Sequence, residues 1–542
     1  MFEAAKLGRK VSKSSYKEQV PELRAQLLEV QRDLQGSDTP VIIIISGVEG
    51  AGKGEVVNRL NEWLDTRGMQ TFAFWDQSDE EHERPRYWKF WRSLAPRGEM
   101  SVLFGAWYMD PIMHRMNNNC SDADMDAELN RIADFERMLT EDGALIIKFW
   151  FHLPKNEQKS RLKSLERDDK SRWKMNPKKG KFSEHYEQFE RISERIIRHT
   201  DSGIAPWYLI EATDQRYRDL TVGRTLLQSI RSRLESPYVS SVSSVSHAPS
   251  LPNDAEAMVT VLDHVDLTQS LEKKIYKAEL ERLQGELNKL AWSAYQKKRS
   301  CVLVFEGADA GGKGGAIRRV TNAIDSRLYR TIQVAAPTDE EKAHHYLWRF
   351  WRHIPRSGRL SVYDRSWYGR VLVERVEGFA TENEWRRSYS EINEFEEQLV
   401  ENGIILLKFW LHISPDEQLR RFKEREEVAY KQHKITDEDW RNREKSAEYK
   451  YAVNEMVIRT STEYAPWYLI PGDDKPFARI EVLKTVCERF SEALDDERPV
   501  NPSPCKSAHS VSLILEKRSK QDKKKSTEKQ DSEQNSKKKD QD

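Results

Sequence analysis

The stretch VLVFEGADAGGKG, residues 302–314, sets a run of apolar residues directly before a glycine-rich loop. Gly307 to Lys313 fits the pattern G-x-x-x-x-G-K, which binds phosphate where it follows a strand and opens a helix. The glycines let the backbone curl so that successive N–H groups point at phosphate oxygens, and the lysine adds a mobile cation. The pattern predicts a strand, a phosphate-binding loop and a helix, with five phosphate-binding residues: Gly307, Gly311, Gly312, Lys313 and Gly314.

The same stretch occurs twice in the chain. When the sequence is shifted by 260 positions, Gly47 falls on Gly307 and Lys53 falls on Lys313. The shift also superposes segments along the rest of the chain: Phe90–Arg92 on Phe350–Arg352, Trp107–Tyr108 on Trp367–Tyr368, Lys148–Trp150 on Lys408–Trp410 and Ala205–Ile210 on Ala465–Ile470. A period this long indicates two whole domains, since solenoid repeats have only about 20–50 residues.

Apolar runs in each copy alternate with helical stretches, which is typical of an α/β fold with a parallel sheet flanked by helices. In the C-terminal copy the predicted strands are 302–305, 360–363, 404–410 and 467–470. A Ser/Pro-rich stretch between the copies predicts a linker, and a Lys/Gln/Ser/Asp-rich end predicts a disordered tail. The predicted boundaries are 1–234 for the N-terminal copy, 235–258 for the linker, 259–500 for the C-terminal copy and 501–542 for the tail.

Composition indicates a cytoplasmic protein that binds neither nucleic acid nor membrane. Basic and acidic residues balance at 89 each among 542 residues, so any anion site must come from local clustering. The longest β-branched run, Val41–Ile45, is far too short to span a bilayer. The four cysteines are scattered without metal-like spacing, which favours free thiols in a reducing compartment. Association of several copies stays open.

Two carboxylates are candidates for a metal site. Asp364 ends the apolar run that lies 51 residues after Lys313, where P-loop enzymes carry a metal-binding aspartate. Asp309 lies inside the loop itself. The Ser/Thr that binds Mg²⁺ in ordinary P-loop enzymes is replaced by Gly314, so the metal must rely on carboxylates and phosphates.

Phosphoryl transfer also needs fixed positive charge around the transferred group. Arginines are frequent in the C-terminal copy, and the strongest candidates are Arg365 and Arg370, which flank the segment directly after Asp364. Arg318, in the first turns of the helix after the loop, is a further candidate for binding phosphate.

The motifs of the C-terminal copy resemble those of the family-2 polyphosphate kinases. They are FEGADAGGKGG (305–315), YDRSWYGR (363–370), RTST (459–462), APWY (465–468) and DDK (473–475). The resemblance is close over residues 262–494 and looser over residues 7–234. It implies a thymidylate-kinase-like P-loop fold with a helical lid, and an enzyme that uses Mg²⁺, with Mn²⁺ as an alternative, to move phosphate between inorganic polyphosphate and nucleotides. The family's catalytic roles then fall on Asp309, Lys313, Asp364, Arg365 and the lid arginine Arg425.

The N-terminal copy is predicted to be folded but inactive. Asp364 corresponds to Phe104, which cannot bind a metal, and Arg370 corresponds to Asp110, which would repel polyphosphate. The loop with Lys53 could still hold an anion, but a packing role is the simpler expectation.

Two-domain members of the family that the chain resembles phosphorylate AMP to ADP, so the resemblance implies AMP as the acceptor. ADP or GDP as acceptor is the closest alternative. A polyphosphate- or nucleotide-binding regulator without turnover is an alternative of another class, and intact Asp309, Lys313 and Asp364 argue against it. Gly314 disfavours a third alternative, an ATP-dependent small-molecule kinase.

Overall fold

The computed structural model describes residues 1–74, 77–167, 185–236, 259–428 and 437–495. By contacts between Cα atoms the chain divides into two compact units. The first consists of Met1–Glu81, Arg86–Ser244 and Pro337–Arg352, and the second of His82–Pro85, Val245–Ala336 and His353–Asp542. Most of the predicted linker and all of the predicted tail lie outside the described residues, so the predicted domain boundaries stay predictions.

The N-terminal copy alternates helices with five strands. In chain order its longer described elements are α1 (Lys13–Gln35), β1 (Val41–Gly47), α2 (Lys53–Trp63), β2 (Met69–Ala73), α3 (Asp79–His82), α4 (Trp88–Trp91), β3 (Met100–Phe104), α5 (Met109–Met116), α6 (Asp122–Glu141), β4 (Leu145–His152), α7 (Lys155–Arg167), α8 (Tyr186–Thr200), β5 (Trp207–Glu211) and α9 (Gln215–Glu235).

The C-terminal copy repeats this order. Its longer described elements are α10 (Lys273–Gln296), β6 (Cys301–Gly307), α11 (Lys313–Thr321), β7 (Tyr329–Gln333), α12 (Asp339–Lys342), α13 (Trp348–Trp351), β8 (Leu360–Asp364), α14 (Val373–Val376), α15 (Glu382–Glu401), β9 (Ile405–His412), α16 (Pro415–Glu427), α17 (Asp437–Glu444), α18 (Ser446–Thr460), β10 (Trp467–Pro471) and α19 (Lys475–Leu494).

Each copy forms a parallel five-stranded sheet. The strand orders are β2-β3-β1-β4-β5 and β10-β9-β6-β8-β7, and every pairing is parallel. The predicted α/β class is therefore confirmed for both copies. The strand that precedes the glycine loop lies at the centre, and the strand that ends in Asp364 is its direct neighbour. The phosphate loop and the aspartate thus lie side by side at the edge of the sheet formed by the carboxyl ends of the strands.

Helices cover both faces of the C-terminal sheet, which explains why its central strand is apolar from Cys301 to Phe305. From Cys301 to Phe305 every side chain is fully buried. The core that surrounds them takes residues from α10, α11 and α19 as well as from the strands. Burial of this kind fixes the loop that follows the central strand, because the strand cannot shift without exposing its apolar side chains.

A buried ion pair between a strand and a helix occurs at the same place in both copies. The Lys408 ammonium donates to Glu396 at 2.7 Å, to the Tyr368 hydroxyl at 2.9 Å and to the Thr460 carbonyl at 2.7 Å. Burial raises the pKa of Glu396, and burial lowers the pKa of Lys408. Lys148 makes the corresponding contacts in the N-terminal copy. In the C-terminal copy this network joins β9 to α15, to the end of α18 and to the segment after β8. The N-terminal copy has the equivalent network.

No helix in the described part of the chain has the length and hydrophobicity needed to cross a membrane. The three cysteines among the described residues, Cys120, Cys301 and Cys487, are buried thiols that are not paired with one another. Burial raises the pKa of Cys487 to about 12, so this thiol is protonated at neutral pH.

Candidate active site

The phosphate loop of the C-terminal copy begins at Gly307, whose backbone requires glycine. Its φ angle is +150°, and a Cβ there would lie 2.5 Å from the carbonyl oxygen of Leu411 on β9. The loop ends where Lys313 starts α11. The Lys313 ammonium folds back over the loop and donates to the carbonyls of Gly307 at 2.6 Å and Ala308 at 3.2 Å. The lysine is therefore held at the loop, within reach of an anion that the loop binds.

Asp364 and Arg365 reach the same edge from β8. Asp364 lies opposite Phe305 in the parallel register, two residues before the loop begins. The Arg365 guanidinium comes within 3.4 Å of the Asp309 carboxylate inside the loop. The structure thus brings together four of the residues predicted to carry catalysis.

Asp309 is tied to more elements than the sequence indicates. Its second carboxylate oxygen accepts from the side-chain amide of Asn442 at 2.8 Å, and its backbone carbonyl accepts from Gln418 at 3.2 Å. The side chain is only 15% exposed. The carboxylate is consequently fixed between the loop, β8 and α17, and Asn442 is a contact that sequence reasoning missed.

A strongly basic cavity adjoins the loop. It has a volume of about 280 Å³, and its walls include Gly311 and Gly312 from the loop together with the start of α11. Its charged lining comes from three helices and consists of Arg318, Arg319, Arg421, Arg425, Lys475 and Arg479 with a single acid, Glu424. Burial, followed by the charge of Arg421, lowers the pKa of Lys475. Such an excess of cations favours an extended anion.

Two helix beginnings place these cations. Ser414 caps α16 by accepting from the Glu417 N–H, and Asp474 caps α19 by accepting from the Phe477 N–H at 2.8 Å. On α16, Gln418, Arg421 and Arg425 are spaced by three and four residues, so they share one face of the helix. This spacing was the signal in the sequence that could have identified Arg421, which the predicted set of site residues lacks.

Arg421 links the loop to a neighbouring segment through hydrogen bonds to backbone carbonyls. The side chain is 3% exposed. Its guanidinium donates to the carbonyls of Ala310 at 2.9 Å, Gly472 at 2.6 Å and Asp473 at 2.9 Å. Arg161 makes the corresponding contacts with Gly50, Ala212 and Thr213 in the N-terminal copy. The arginine joins the loop to the residues that follow the last strand of each copy, β10 for Arg421 and β5 for Arg161.

Of the predicted phosphate-binding residues, the cavity is lined by Gly311, Gly312 and Arg318 but not by Gly307, Lys313, Gly314 or Arg370. The Arg370 guanidinium pairs with Glu374 at 3.0 Å, and Arg370 is not among the described residues that line the cavity. A Cβ at Gly314 would meet no heavy atom within 4 Å. The glycine is therefore not required by packing, and the structure alone does not explain why a Ser or Thr is missing there.

Comparison with known proteins decides the family. The family model for Polyphosphate kinase 2 (PPK2) matches residues 10–236 and again residues 270–498. The chain belongs to the polyphosphate kinase 2 family. This confirms the resemblance seen in the sequence motifs, and it extends over both copies.

The polyphosphate kinase 2 relatives match the chain over nearly their whole length. A polyphosphate:AMP phosphotransferase from Pseudomonas aeruginosa is 48% identical over 92% of this chain and 100% of the relative. One from Pseudomonas syringae pv. tomato is 46% identical over 91% of this chain and 99% of the relative. A crystal structure of polyphosphate kinase 2 from P. aeruginosa PA01 has a TM-score of 0.81 and 46% identity, covering 92% of this chain and 100% of that one.

The N-terminal kinase copy keeps the loop but fills the neighbouring space. Lys53 donates to the carbonyls of Gly47 at 2.7 Å and Val48 at 2.9 Å, as its counterpart does. Arg218 replaces Ala478 of the basic cavity, is fully buried, and donates to the Ala51 carbonyl at 3.3 Å. A Cβ at Gly52 would lie 1.7 Å from its guanidinium. A side chain of the protein itself therefore lies against this loop.

Three further substitutions in the N-terminal kinase copy remove positive charge. Gln215 and Asp219 stand where the C-terminal copy has the cations Lys475 and Arg479. Asp110, at the position of Arg370, pairs with Arg86 at 3.1 Å and Lys89 at 3.6 Å. Burial works to raise the pKa of Asp110, but these cations lower it below its ordinary value.

A metal ion would find two carboxylates in the C-terminal kinase copy, Asp364 and Asp309. The described residues contain no cluster of three or more His, Cys, Asp or Glu side chains suited to hold a metal by themselves. Mg²⁺ is usually bound through one or two carboxylates with substrate phosphates and water supplying the other ligands. The residues at this edge of the sheet fit such a site.

Proposed function

We propose that the protein transfers the terminal phosphate of inorganic polyphosphate to AMP, giving ADP and a polyphosphate shortened by one unit. The observation that carries the proposal is the basic cavity that continues from the phosphate loop of the C-terminal copy. An elongated, highly charged donor needs cations along its length, whereas a single nucleotide phosphate does not. The names of the two Pseudomonas relatives support AMP as the acceptor.

In this proposal the loop holds the terminal part of the polyphosphate. Lys313 exchanges the carbonyls of Gly307 and Ala308 for phosphate oxygens when the donor binds. Arg318 and Arg425, on two different helices, bind the chain farther along the cavity. Arg421 contributes mainly by bracing the loop, since its guanidinium is already occupied by three backbone carbonyls.

The transfer forms a bond from a phosphate oxygen of AMP to the terminal phosphorus and breaks the bridging P–O bond of the donor. Little covalent chemistry is needed from the protein, so rate depends on positioning and on stabilising charge. Arg365 and Lys313 neutralise charge on the transferred group from two sides. Asp364 and Asp309 would hold Mg²⁺, which offsets the charge of the phosphates when it is bound.

The acceptor is tested by one assay with purified protein, polyphosphate and Mg²⁺. AMP, ADP, GMP and GDP are offered in turn, and the products are separated by chromatography. We expect ADP to form from AMP faster than ATP forms from ADP. Equal or reversed rates would assign the protein to the alternative of an ADP or GDP kinase, and binding of polyphosphate without any turnover would assign it to the regulator class.

A further inference from the structure

Arg365 has a backbone conformation that is unusual for its residue type. Its φ angle is +63°, in the left-handed region that side chains with a Cβ rarely adopt. Its N–H nevertheless donates to the Phe305 carbonyl at 3.1 Å, so the residue is still attached to the central strand. From this position its guanidinium reaches Asp309. Strained residues that point side chains into a site need support from their surroundings.

The N-terminal copy also has a left-handed residue at this position, but not an arginine. Gly105 takes the place of Arg365, has a φ angle of +74° and donates to the Ile45 carbonyl at 3.0 Å. Glycine adopts this conformation without steric penalty. A Cβ at Gly105 would lie 2.2 Å from the side chain of Met109, whereas the C-terminal copy has Gly369 there. The left-handed position thus occurs in both copies, and only the C-terminal copy has a side chain there. The next residue differs, with a φ angle of +42° at Ala106 and −155° at Ser366.

A second hydrogen bond supports the turn in the C-terminal copy alone. The Ser366 hydroxyl donates to the Glu306 carboxylate at 2.8 Å and accepts from the Tyr368 N–H at 3.3 Å. Ser366 is 2% exposed and Glu306 is 5% exposed. The N-terminal counterparts are Ala106 and Ser46, which cannot make this contact in the same way. The arginine, the serine and the glutamate are therefore present together in one copy and absent together from the other.

Burial of a carboxyl group such as Glu306 is unfavourable, because the group loses its hydration unless protein contacts replace it. Burial raises the pKa of Glu306, and Ser366, Lys313 and Arg365 act against that rise. Glu306 follows Phe305 in β6, and Ser366 follows Arg365 after β8. Two successive residues of the strand, Phe305 and Glu306, therefore hold two successive residues of the turn, Arg365 and Ser366.

We propose that Glu306 and Ser366 are a positioning pair, which keeps Arg365 in its left-handed conformation and so directs its guanidinium at the phosphate site. The pair does not touch the substrate. Its effect on turnover passes through Arg365, and this part of the proposal rests on the proposed phosphotransfer function.

The test is a double-mutant cycle in the full-length protein with Ser366→Ala, Arg365→Gly and both together. Turnover is measured with whichever nucleotide the wild type phosphorylates. We expect Ser366→Ala to lower kcat by about tenfold and Arg365→Gly by about a hundredfold, because misplacing and removing a stabilising charge differ by this order. The double variant should be within about twofold of Arg365→Gly, because both changes act on one group. Multiplicative losses, or a Ser366→Ala kcat near that of the wild type, would overturn the proposal.

Thermal unfolding tests the strain without any assay of activity. Arg365→Gly should raise the melting temperature by about 2–4 °C, since glycine relieves the left-handed strain and the Arg365–Asp309 pair, whose arginine is exposed, contributes little. An unchanged or lower melting temperature would contradict the strained role of Arg365. A wild type that does not turn over polyphosphate contradicts the proposed function instead, so the two failures are distinguishable.

Two further variants separate positioning from charge and from packing. Glu306→Gln keeps an oxygen acceptor for the Ser366 hydroxyl, and it should retain kcat within about threefold. A loss beyond tenfold in a folded Glu306→Gln protein would show that the carboxylate charge, and not the hydrogen bond, is what matters. The matched control is Ser46→Ala in the N-terminal copy, which should leave kcat unchanged. If Ser366→Ala does not fold, Glu306→Gln and the melting temperature of Arg365→Gly still decide the proposal.

Discussion

Asp364 differs from its counterpart Phe104 in one property that phosphotransfer requires, a negative charge at the loop edge of the sheet. Asp364→Asn keeps the shape of the side chain and removes that charge. We expect turnover to fall by about a hundredfold or more, as is common when a group that stabilises charge in the transition state is lost. Steady-state kinetics and circular dichroism of the variant measure this. The control is Glu49→Gln, at the loop position of Asp309 in the N-terminal copy, which should keep its activity; near-normal turnover of Asp364→Asn would remove Asp364 from the mechanism.

Lys313 and Lys53 make the same contacts with their loops, yet they should respond differently to truncation. Lys313→Ala should abolish nearly all turnover, because the cation, the carboxylates and Arg365 act as one unit. Lys53→Ala should leave most of it, since Arg218 lies against that loop. Kinetics on short and long polyphosphate measure both variants. A raised KM for long chains only in Lys53→Ala would reveal a remote anchor, and complete loss of turnover would show that the N-terminal copy carries chemistry.

Single residues were predictable from sequence where a local pattern marked them. Lys313, Asp309 and Asp364 stand at fixed places relative to strands and loop, and the structure brings them to one edge of the sheet. Asn442 was not predicted, because its contact with Asp309 depends on the reach of side chains across the fold. Arg421 was left out of the predicted set, although its spacing on α16 marked it. Arg370 was predicted from its closeness in sequence to Asp364, but its guanidinium pairs with Glu374.

At the scale of elements, the buried ion pair between β9 and α15 makes a test of stability. Lys408→Met leaves Glu396 in the core without its cation, which should lower the free energy of unfolding by about 3–5 kcal/mol. Denaturant unfolding measures this, with Lys148→Met as the matched variant of the other copy. Adding Glu396→Gln should recover part of the loss. If Lys408→Met alone is neutral, the pair contributes nothing to the core.

The pH dependence of the Lys408→Met variant has a definite sign. Burial already raises the pKa of Glu396 in the native protein, and loss of the cation raises it further. A carboxyl whose folded-state pKa exceeds its unfolded value stabilises the fold at low pH, and that stability is lost as pH rises through the folded-state pKa. The destabilisation relative to the wild type should therefore be smaller at acidic than at neutral pH.

The elements themselves were largely predictable, with one systematic gap. Four strands of the C-terminal sheet were predicted within one or two residues of their observed bounds, because buried parallel strands form apolar runs. The edge strands β2 and β7 were missed. In β7, Tyr329–Gln333, only Ile332 is buried, so an edge strand of this kind carries no apolar signature.

At the scale of the whole molecule, we expect only one of the two similar loops, that of the C-terminal copy, to bind polyphosphate. At the positions that line the basic cavity of the C-terminal copy, the N-terminal copy has Arg218 in place of Ala478 and Asp219 in place of Arg479. The first fills space and the second removes a positive charge. Calorimetric titration with tripolyphosphate should therefore give about one site per chain, and Lys313→Ala should weaken that site while Lys53→Ala does not. Two equivalent sites in the wild type would contradict this, and would require that Arg218 move away from its loop.

The glycine at position 105 also limits what can be undone. Restoring the metal-binding aspartate alone, by Phe104→Asp, would leave a turn without an arginine, a Met109 side chain in its way, and Arg218 beside the loop. An arginine at 105 would collide with Met109 and would lack the support that Glu306 and Ser366 give in the other copy. The inactivity that we predict for the N-terminal copy therefore rests on several groups at once. We expect no single substitution there to bring turnover.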